Sequence, residues 1–118
     1  MDRRALGAAG EEAAARALVK EGWTLLDRNA RTRSGEIDIV AERRGVLGFI
    51  EVKARRSRAA GTPEEAVDDG KASRVAKAAA EYLRGKGLSG ARAEILVAAV
   101  DMDPAGKPVA VRIVPLES

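Results

Sequence analysis

A predicted β-hairpin in the segment GEIDIVAERRGVLGFIEVKARR (residues 35–56) carries three carboxylates and a lysine at the end far from its turn. Arg44-Gly45 suits a two-residue turn, and such a turn fixes which residues of the two strands face each other. The register that follows opposes Asp38 with Glu51 and Glu36 with Lys53. Because side chains alternate along a strand, all four are expected on one face of the hairpin.

Directly opposed carboxylates beside apolar side chains repel each other and resist ionisation. The acidic face is predicted to hold Val40, Leu47 and Phe49, and the opposite face Ile37, Ile39, Ile50 and Val52. A shared proton, the nearby Lys53 or a divalent ion bridging Asp38 and Glu51 would each relieve the repulsion. A charged edge strand is the competing explanation for any one of these residues, but it does not account for an Asp facing a Glu.

This set of side chains suits the hydrolysis of a phosphodiester bond. A divalent ion held by Asp38 and Glu51 would polarise the phosphate and lower the pKa of a bound water. Lys53 would orient or deprotonate that water, or offset negative charge in the transition state. The chain contains no His and no Cys, which excludes histidine triads, disulfides, and thiolate or imidazole metal sites. The expected metal therefore accepts oxygen ligands, and we expect Mg²⁺ or Mn²⁺.

The basic charge of the chain is concentrated around this hairpin. Residues 28–58 contain nine Lys or Arg and four acids, a net charge of +5, although the whole chain carries only +3. We expect the basic loops Arg31/Arg33 and Arg55/Arg56/Arg58 to hold a nucleic-acid backbone. Phe, Trp and Tyr occur once each, so a surface on which single-stranded bases stack is not expected. The start of the chain lacks the apolar stretch of a signal peptide, so a cytoplasmic protein with no membrane partner is expected.

The surrounding pattern predicts one domain over residues 1–118 with the order α-β-β-β-α-β-β. The first helix is predicted over 2–21 and the second from the Thr62 cap, with Pro63 and Glu65 in its first turn, to about Leu83. The strands are predicted at residues 23–29, 36–42, 47–53, 91–101 and 108–116.

The spacing Asp38-x12-Glu51-x-Lys53 on two adjacent strands resembles the core of the restriction-endonuclease-like PD-(D/E)xK nucleases. More narrowly, the chain resembles the YraN-like family of small bacterial proteins, which is similar to archaeal Holliday-junction resolvases. The motifs that carry this resemblance are GAAGEEAAARAL (7–18), RNAR (28–31), GEIDIVA (35–41), FIEVKAR (49–55) and the helical segment 61–83.

The resemblance implies an α/β fold with an α-β-β-β-α-β core, in which helices flank a mixed central sheet. It implies metal ligation by Asp38 and Glu51, a catalytic role for Lys53, and a further catalytic carboxylate, Glu11, from the first helix. Lys71 would approach the site from the second helix as one of the nucleic-acid-binding residues. Glu94 stands where the family carries another acid, and we do not expect it in the site.

The leading interpretation is a metal-dependent endonuclease that hydrolyses DNA, with branched or damaged DNA as a candidate substrate. Two alternatives are a non-catalytic nucleic-acid-binding module and a protein-interaction subunit that uses the basic loops to bind an acidic partner. The complete Asp-Glu-Lys set favours the nuclease. A homodimer is a candidate assembly because the resolvases act as dimers.

Overall fold

The computed structural model describes residues 3–56, Pro63 and residues 69–116, which form two helices and five strands. In chain order these elements are α1 (Arg3–Lys20), β1 (Thr24–Thr32), β2 (Gly35–Arg43), β3 (Val46–Arg55), α2 (Asp69–Gly85), β4 (Arg92–Met102) and β5 (Pro108–Pro115). This order is the one predicted from the sequence. The predicted start of the second helix at Thr62 and Glu65 lies outside the described residues, and β1 extends three residues beyond its predicted end.

The five strands form one mixed sheet in the order β1-β2-β3-β4-β5. Every neighbouring pair is antiparallel except β3 and β4, which run parallel. A parallel pair needs a crossover connection, and α2 lies within the connection between these two strands. The expected α/β class, a mixed central sheet with flanking helices, is confirmed.

Each helix covers one face of the sheet. Buried residues of α1, including Ala14 and Leu18, pack with Ile39, Ile50 and other side chains of the sheet. Buried residues of α2 pack with a second set on the opposite face, which includes Val40, Leu47 and Phe49. No helix among the described residues is both long and apolar enough to cross a membrane.

Small residues set how closely the layers approach. A Cβ atom added to Gly10 of α1 would lie 2.8 Å from the Cβ of Ala54 in β3, so only a glycine allows this contact. Gly22, with φ of 96°, ends α1 in the left-handed conformation. The amide of Trp23 then donates to the carbonyl of Leu18 at 3.0 Å, which closes the helix end.

The β2–β3 turn confirms the predicted register near the turn. Arg44 and Gly45 have φ values of 53° and 79°, as a turn with two left-handed residues requires. The two strands pair from Arg43↔Val46 to Ile39↔Ile50, and the described ladder ends there. The predicted pairs beyond Ile39, those of Asp38 with Glu51 and Glu36 with Lys53, are therefore not ladder pairs.

Candidate active site

The candidate site begins where the β2–β3 ladder ends. Oδ2 of Asp38 accepts a hydrogen bond of 2.8 Å from the backbone amide of Val52, so a side chain takes the place of a ladder contact. The regular alternation of β2 side chains between the two faces of the sheet also breaks here, because Ile37 packs on the α2 side while Ile39 packs on the α1 side. The prediction that Ile37 shares a face with Ile39 was therefore wrong.

Asp38 lies among other carboxylates in a partly buried position. Its pKa is raised from 3.8 to about 6, with burial as the largest cause and the charges of Glu51, Glu11 and Glu36 as smaller ones. The hydrogen bond from Val52 opposes the shift without cancelling it. Acids from α1, β2 and β3 thus act on one carboxyl group, and a proton or a cation at this point would relieve their repulsion.

Glu11 reaches this cluster from α1, held by two residues of β1. The Arg28 guanidinium lies 3.3 Å from Oε1 of Glu11, and the side-chain amide of Asn29 donates to Oε2 at 3.2 Å. Gly10 allows α1 to lie against β3 at the preceding position, which brings Glu11 to the sheet. The side chain keeps only 18% of its accessible surface, so it is not a freely solvated helix acid.

Asn29 is a site residue that the sequence reasoning missed. It has φ of 52° within β1, and it lies opposite Asp38 because its neighbours Arg28 and Ala30 pair with Ile39 and Ile37. Its amide also donates to Oε1 of Glu36 at 3.3 Å, so one side chain joins acids of α1 and β2.

Glu36 therefore contacts residues of β1, whereas its predicted partner was Lys53 of β3. The available signal for Asn29 was its residue type, since Asn is among the few residues that tolerate a left-handed backbone.

Two lysines complete the cluster beside Glu51. Nζ of Lys71, from α2, lies 3.5 Å from Oε1 of Glu51, and Lys71 is close enough to Lys53 to affect the pKa of that lysine. Burial is the first cause that lowers the pKa of Lys53, followed by the proximity and positive charge of Lys71. A lysine with a lowered pKa loses its proton more readily, which suits a group that accepts a proton from water.

The predicted phosphate-binding arginines lie around this cluster with different exposures. Arg31 is exposed and lies 3.9 Å from Glu36, while Arg33 is exposed in the β1–β2 turn. Arg56 is exposed, but Arg55 is half-buried and its Nε has no hydrogen-bond partner among the described residues, outside which Arg58 lies. Glu94 is exposed and pairs with Gly48 near the β2–β3 turn, so it lies away from the cluster, as expected.

The donor set fits a divalent cation that is only partly enclosed by protein. Within the described ranges, no group of three or more acids is placed so that all of them could hold one metal ion. Mg²⁺ commonly takes one or two carboxylates and fills its other positions with water and substrate phosphate, so two ligands suffice. Among the described residues, Oδ1 of Asp38 accepts no hydrogen bond and Oε2 of Glu51 makes no ion pair, so each residue has an oxygen for a cation.

Comparison with known proteins gives a family but no described activity. A sequence model of the uncharacterised protein family UPF0102 matches residues 10–102. A UPF0102 protein of Symbiobacterium thermophilum is 46% identical over 107 residues, covering 91% of this chain and 90% of that protein. Another from Desulfosudis oleivorans is 45% identical over 98 residues, covering 83% and 80%. A third, from Moorella thermoacetica, is 42% identical over 114 residues, covering 97% and 95%.

Proposed function

The chain belongs to the uncharacterised protein family UPF0102, the YraN-like family of bacterial proteins, and we propose that it is a metal-dependent nuclease that hydrolyses DNA phosphodiester bonds. The observation that carries the proposal is the convergence of acids and lysines from four elements on one partly buried point. The residues are Glu11 of α1, Asp38 of β2, Glu51 and Lys53 of β3, and Lys71 of α2.

Asp38 and Glu51 are the residues that would hold the metal. When bound, Mg²⁺ or Mn²⁺ polarises a phosphate and lowers the pKa of a water ligand. A cation between these carboxylates would also offset the repulsion that raises the pKa of Asp38, so folding and metal binding support each other.

Lys53 and Lys71 would share the handling of charge near the scissile phosphate. Lys71 already contacts Glu51, and the charge of Lys71 helps to keep the pKa of Lys53 low. Lys53 is therefore suited to receive a proton from the attacking water, while Lys71 would contact the phosphate. Arg31, Arg33, Arg55 and Arg56 would contact the flanking backbone.

A cleavage assay tests this proposal. Linear, nicked and four-way-junction DNA are incubated with the protein and Mg²⁺, Mn²⁺ or EDTA. We expect metal-dependent cleavage that is lost in EDTA and falls about a hundredfold or more in Glu51→Gln. The matched control is Glu94→Gln, which makes the same charge change at an exposed position away from the cluster.

The outcome separates the nuclease from its alternatives. Binding of DNA without cleavage in either metal would favour the non-catalytic module. Equal activity of Glu51→Gln and Glu94→Gln would show that the cluster is not the site of the reaction. The branched substrate also reveals which DNA structure is preferred.

A further inference from the structure

The exposed surface of α2 carries its basic charge on one flank. At about 100° per residue, Arg74, Lys77 and Arg84 fall within an arc of about 80°, and all three are exposed. The residues described as exposed on the adjoining arc are small and neutral, namely Ser73, Ala76 and Ala80.

The β1–β2 turn is fixed against this same flank. The amide of Ser34 donates to Oε1 of Glu81 at 2.8 Å, and its hydroxyl donates to Oε2 at 2.6 Å. A Cβ built on Gly35 would lie 3.6 Å from Cδ of Arg74, so the aliphatic part of that arginine passes over the turn. The turn and the helix therefore form one continuous surface.

Glu81 holds the turn with both of its carboxylate oxygens. The hydrogen bonds from Ser34 are the main cause that lowers its pKa. Around it, Arg31, Arg33 and Lys86 line a cleft of about 360 Å³, and Arg33 and Arg84 line a second of about 340 Å³.

We name the exposed basic residues of this region the α2–turn surface: Arg31, Arg33, Arg74, Lys77, Arg84 and Lys86. The nearby acids among the described residues are Glu81, Asp27 and Glu36, so the surface remains basic.

The geometry points to the α2–turn surface as a binding surface for the phosphates of duplex DNA beyond the scissile position. This inference rests on the proposed nuclease function, which it extends by naming the path of the substrate. The path is continuous with the candidate site because Lys71, at the start of α2, contacts Glu51. From Lys71 to Arg84 the helix rises about 20 Å, which matches about six base pairs of B-DNA.

A duplex suits this surface better than a single strand. Tyr82 is the aromatic residue nearest to the basic clefts, but its ring packs edge-on against Phe49 at 5.7 Å and Lys86 lies 5.6 Å from its centroid. It is therefore poorly placed to stack on an unpaired base, and recognition would rely on backbone charge.

The test measures DNA binding in EDTA, so that it does not depend on cleavage. The variant is Arg74→Gln/Lys77→Gln/Arg84→Gln, and the control is Arg16→Gln/Lys20→Gln/Lys107→Gln. Both remove three exposed positive charges, and each removes one basic residue from the last turn of a helix. Affinity for a 24-base-pair duplex is measured by anisotropy from about 50 to 300 mM salt. Circular dichroism confirms that both variants are folded.

We expect the α2 variant to bind at least about tenfold more weakly at 100 mM salt, with a log K against log salt slope shallower by about 2 to 2.7. The control should keep nearly the parental slope. Equal losses of duplex affinity in both variants would mean that only the total charge matters. No loss of affinity in either variant would mean that the duplex does not contact this surface. Both results overturn the inference.

Two further arms separate this inference from other outcomes. If polyglutamate binds the surface and the duplex does not, the partner is an acidic protein and the inference fails. If the α2 variant weakens duplex binding but the parent cleaves no DNA in Mg²⁺ or Mn²⁺, the binding surface stands and the nuclease proposal fails. If the parent cleaves DNA and the α2 variant binds it normally, the nuclease stands and this surface does not.

Discussion

At the scale of single residues, Asp38 is the clearest sign that the acidic cluster is arranged for a purpose. A carboxyl group with a pKa near 6 is ionised at neutral pH only at a free-energy cost to the folded state. The cost arises from burial and from three neighbouring acids, and Val52 supplies the hydrogen bond that partly offsets it. A chain selected for stability alone would gain by replacing Asp38 with a neutral side chain.

This cost predicts how the stability of Asp38→Asn depends on pH in EDTA. Because the folded-state pKa of Asp38 is raised, its ionisation penalty is absent below about pH 3.8, grows with pH, and is complete above about pH 6. Asn has no charge and still accepts the bond from Val52. We expect equal stabilities near pH 4 and an advantage for Asp38→Asn of about 2–3 kcal/mol at pH 8.

Urea unfolding of the parent and Asp38→Asn at several pH values measures this advantage. Glu94→Gln serves as the control because Glu94 is exposed, and its curve should run parallel to that of the parent. A difference between parent and Asp38→Asn that stays constant from pH 4 to pH 8 would show that Asp38 has no penalty to relieve.

The sequence singled out these residues, but it did not predict all of their contacts. Asp38, Glu51 and Lys53 were singled out from residue type and spacing, and Lys53 and Glu51 do lie beside the same Lys71. The pairing of Glu36 could not be predicted, because it depends on the left-handed backbone of Asn29 in a neighbouring strand. A prediction that assumes regular alternation of side chains along each strand cannot include such a left-handed residue.

At the scale of elements, the position of α1 determines whether Glu11 reaches the sheet. Turn chemistry predicted the hairpin register correctly from Arg43–Val46 to Ile39–Ile50, because Arg44-Gly45 left little choice of turn, but not the pairs beyond Ile39. The approach of α1 was not predictable in the same way, since it depends on a contact between Gly10 and Ala54 that are far apart in sequence. The switch of Ile37 to the α2 side likewise reflects packing rather than local pattern.

Two glycines of α1 give a matched test of this approach. Gly7 has nothing within 4 Å of an added Cβ, so Gly7→Ala should stabilise the protein by about 0.5–1 kcal/mol through helix propensity. Gly10→Ala places its new Cβ 2.8 Å from that of Ala54 and should destabilise by about 1–3 kcal/mol, since neither atom can rotate away.

Denaturant unfolding compares the two variants directly. Gly10→Ala should also reduce cleavage more than Gly7→Ala, because the shift of α1 moves the adjacent Glu11. An equal gain in stability for both variants would mean that α1 is not held against β3 at Gly10.

At the scale of the whole molecule, the candidate site exists only when four elements are packed together. The two hydrophobic clusters on the faces of the sheet stabilise the fold and so offset the repulsion between several acids at one point. Charge counting found the basic hairpin segment but not the basic flank of α2. That flank was recognised only from the angular positions of its residues around the helix axis and from the hydrogen bonds that join Glu81 to the β1–β2 turn.

The central claim is that this acidic point is a divalent-cation site, and thermal unfolding at pH 8 with Mn²⁺ titrated from an EDTA-treated start tests it most directly. Asp38→Asn should be the more stable protein without metal. As Mn²⁺ rises, the parent gains about 4.1 kcal/mol at roughly a thousand times its Kd, which exceeds the advantage of about 2–3 kcal/mol that the variant has without metal, while the variant itself gains little.

The order of the two unfolding temperatures should therefore reverse at high Mn²⁺. A parent that shows no shift with Mn²⁺, or a shift equal to that of Asp38→Asn, would contradict the account, and Asp38 would then be a structural hydrogen-bond acceptor.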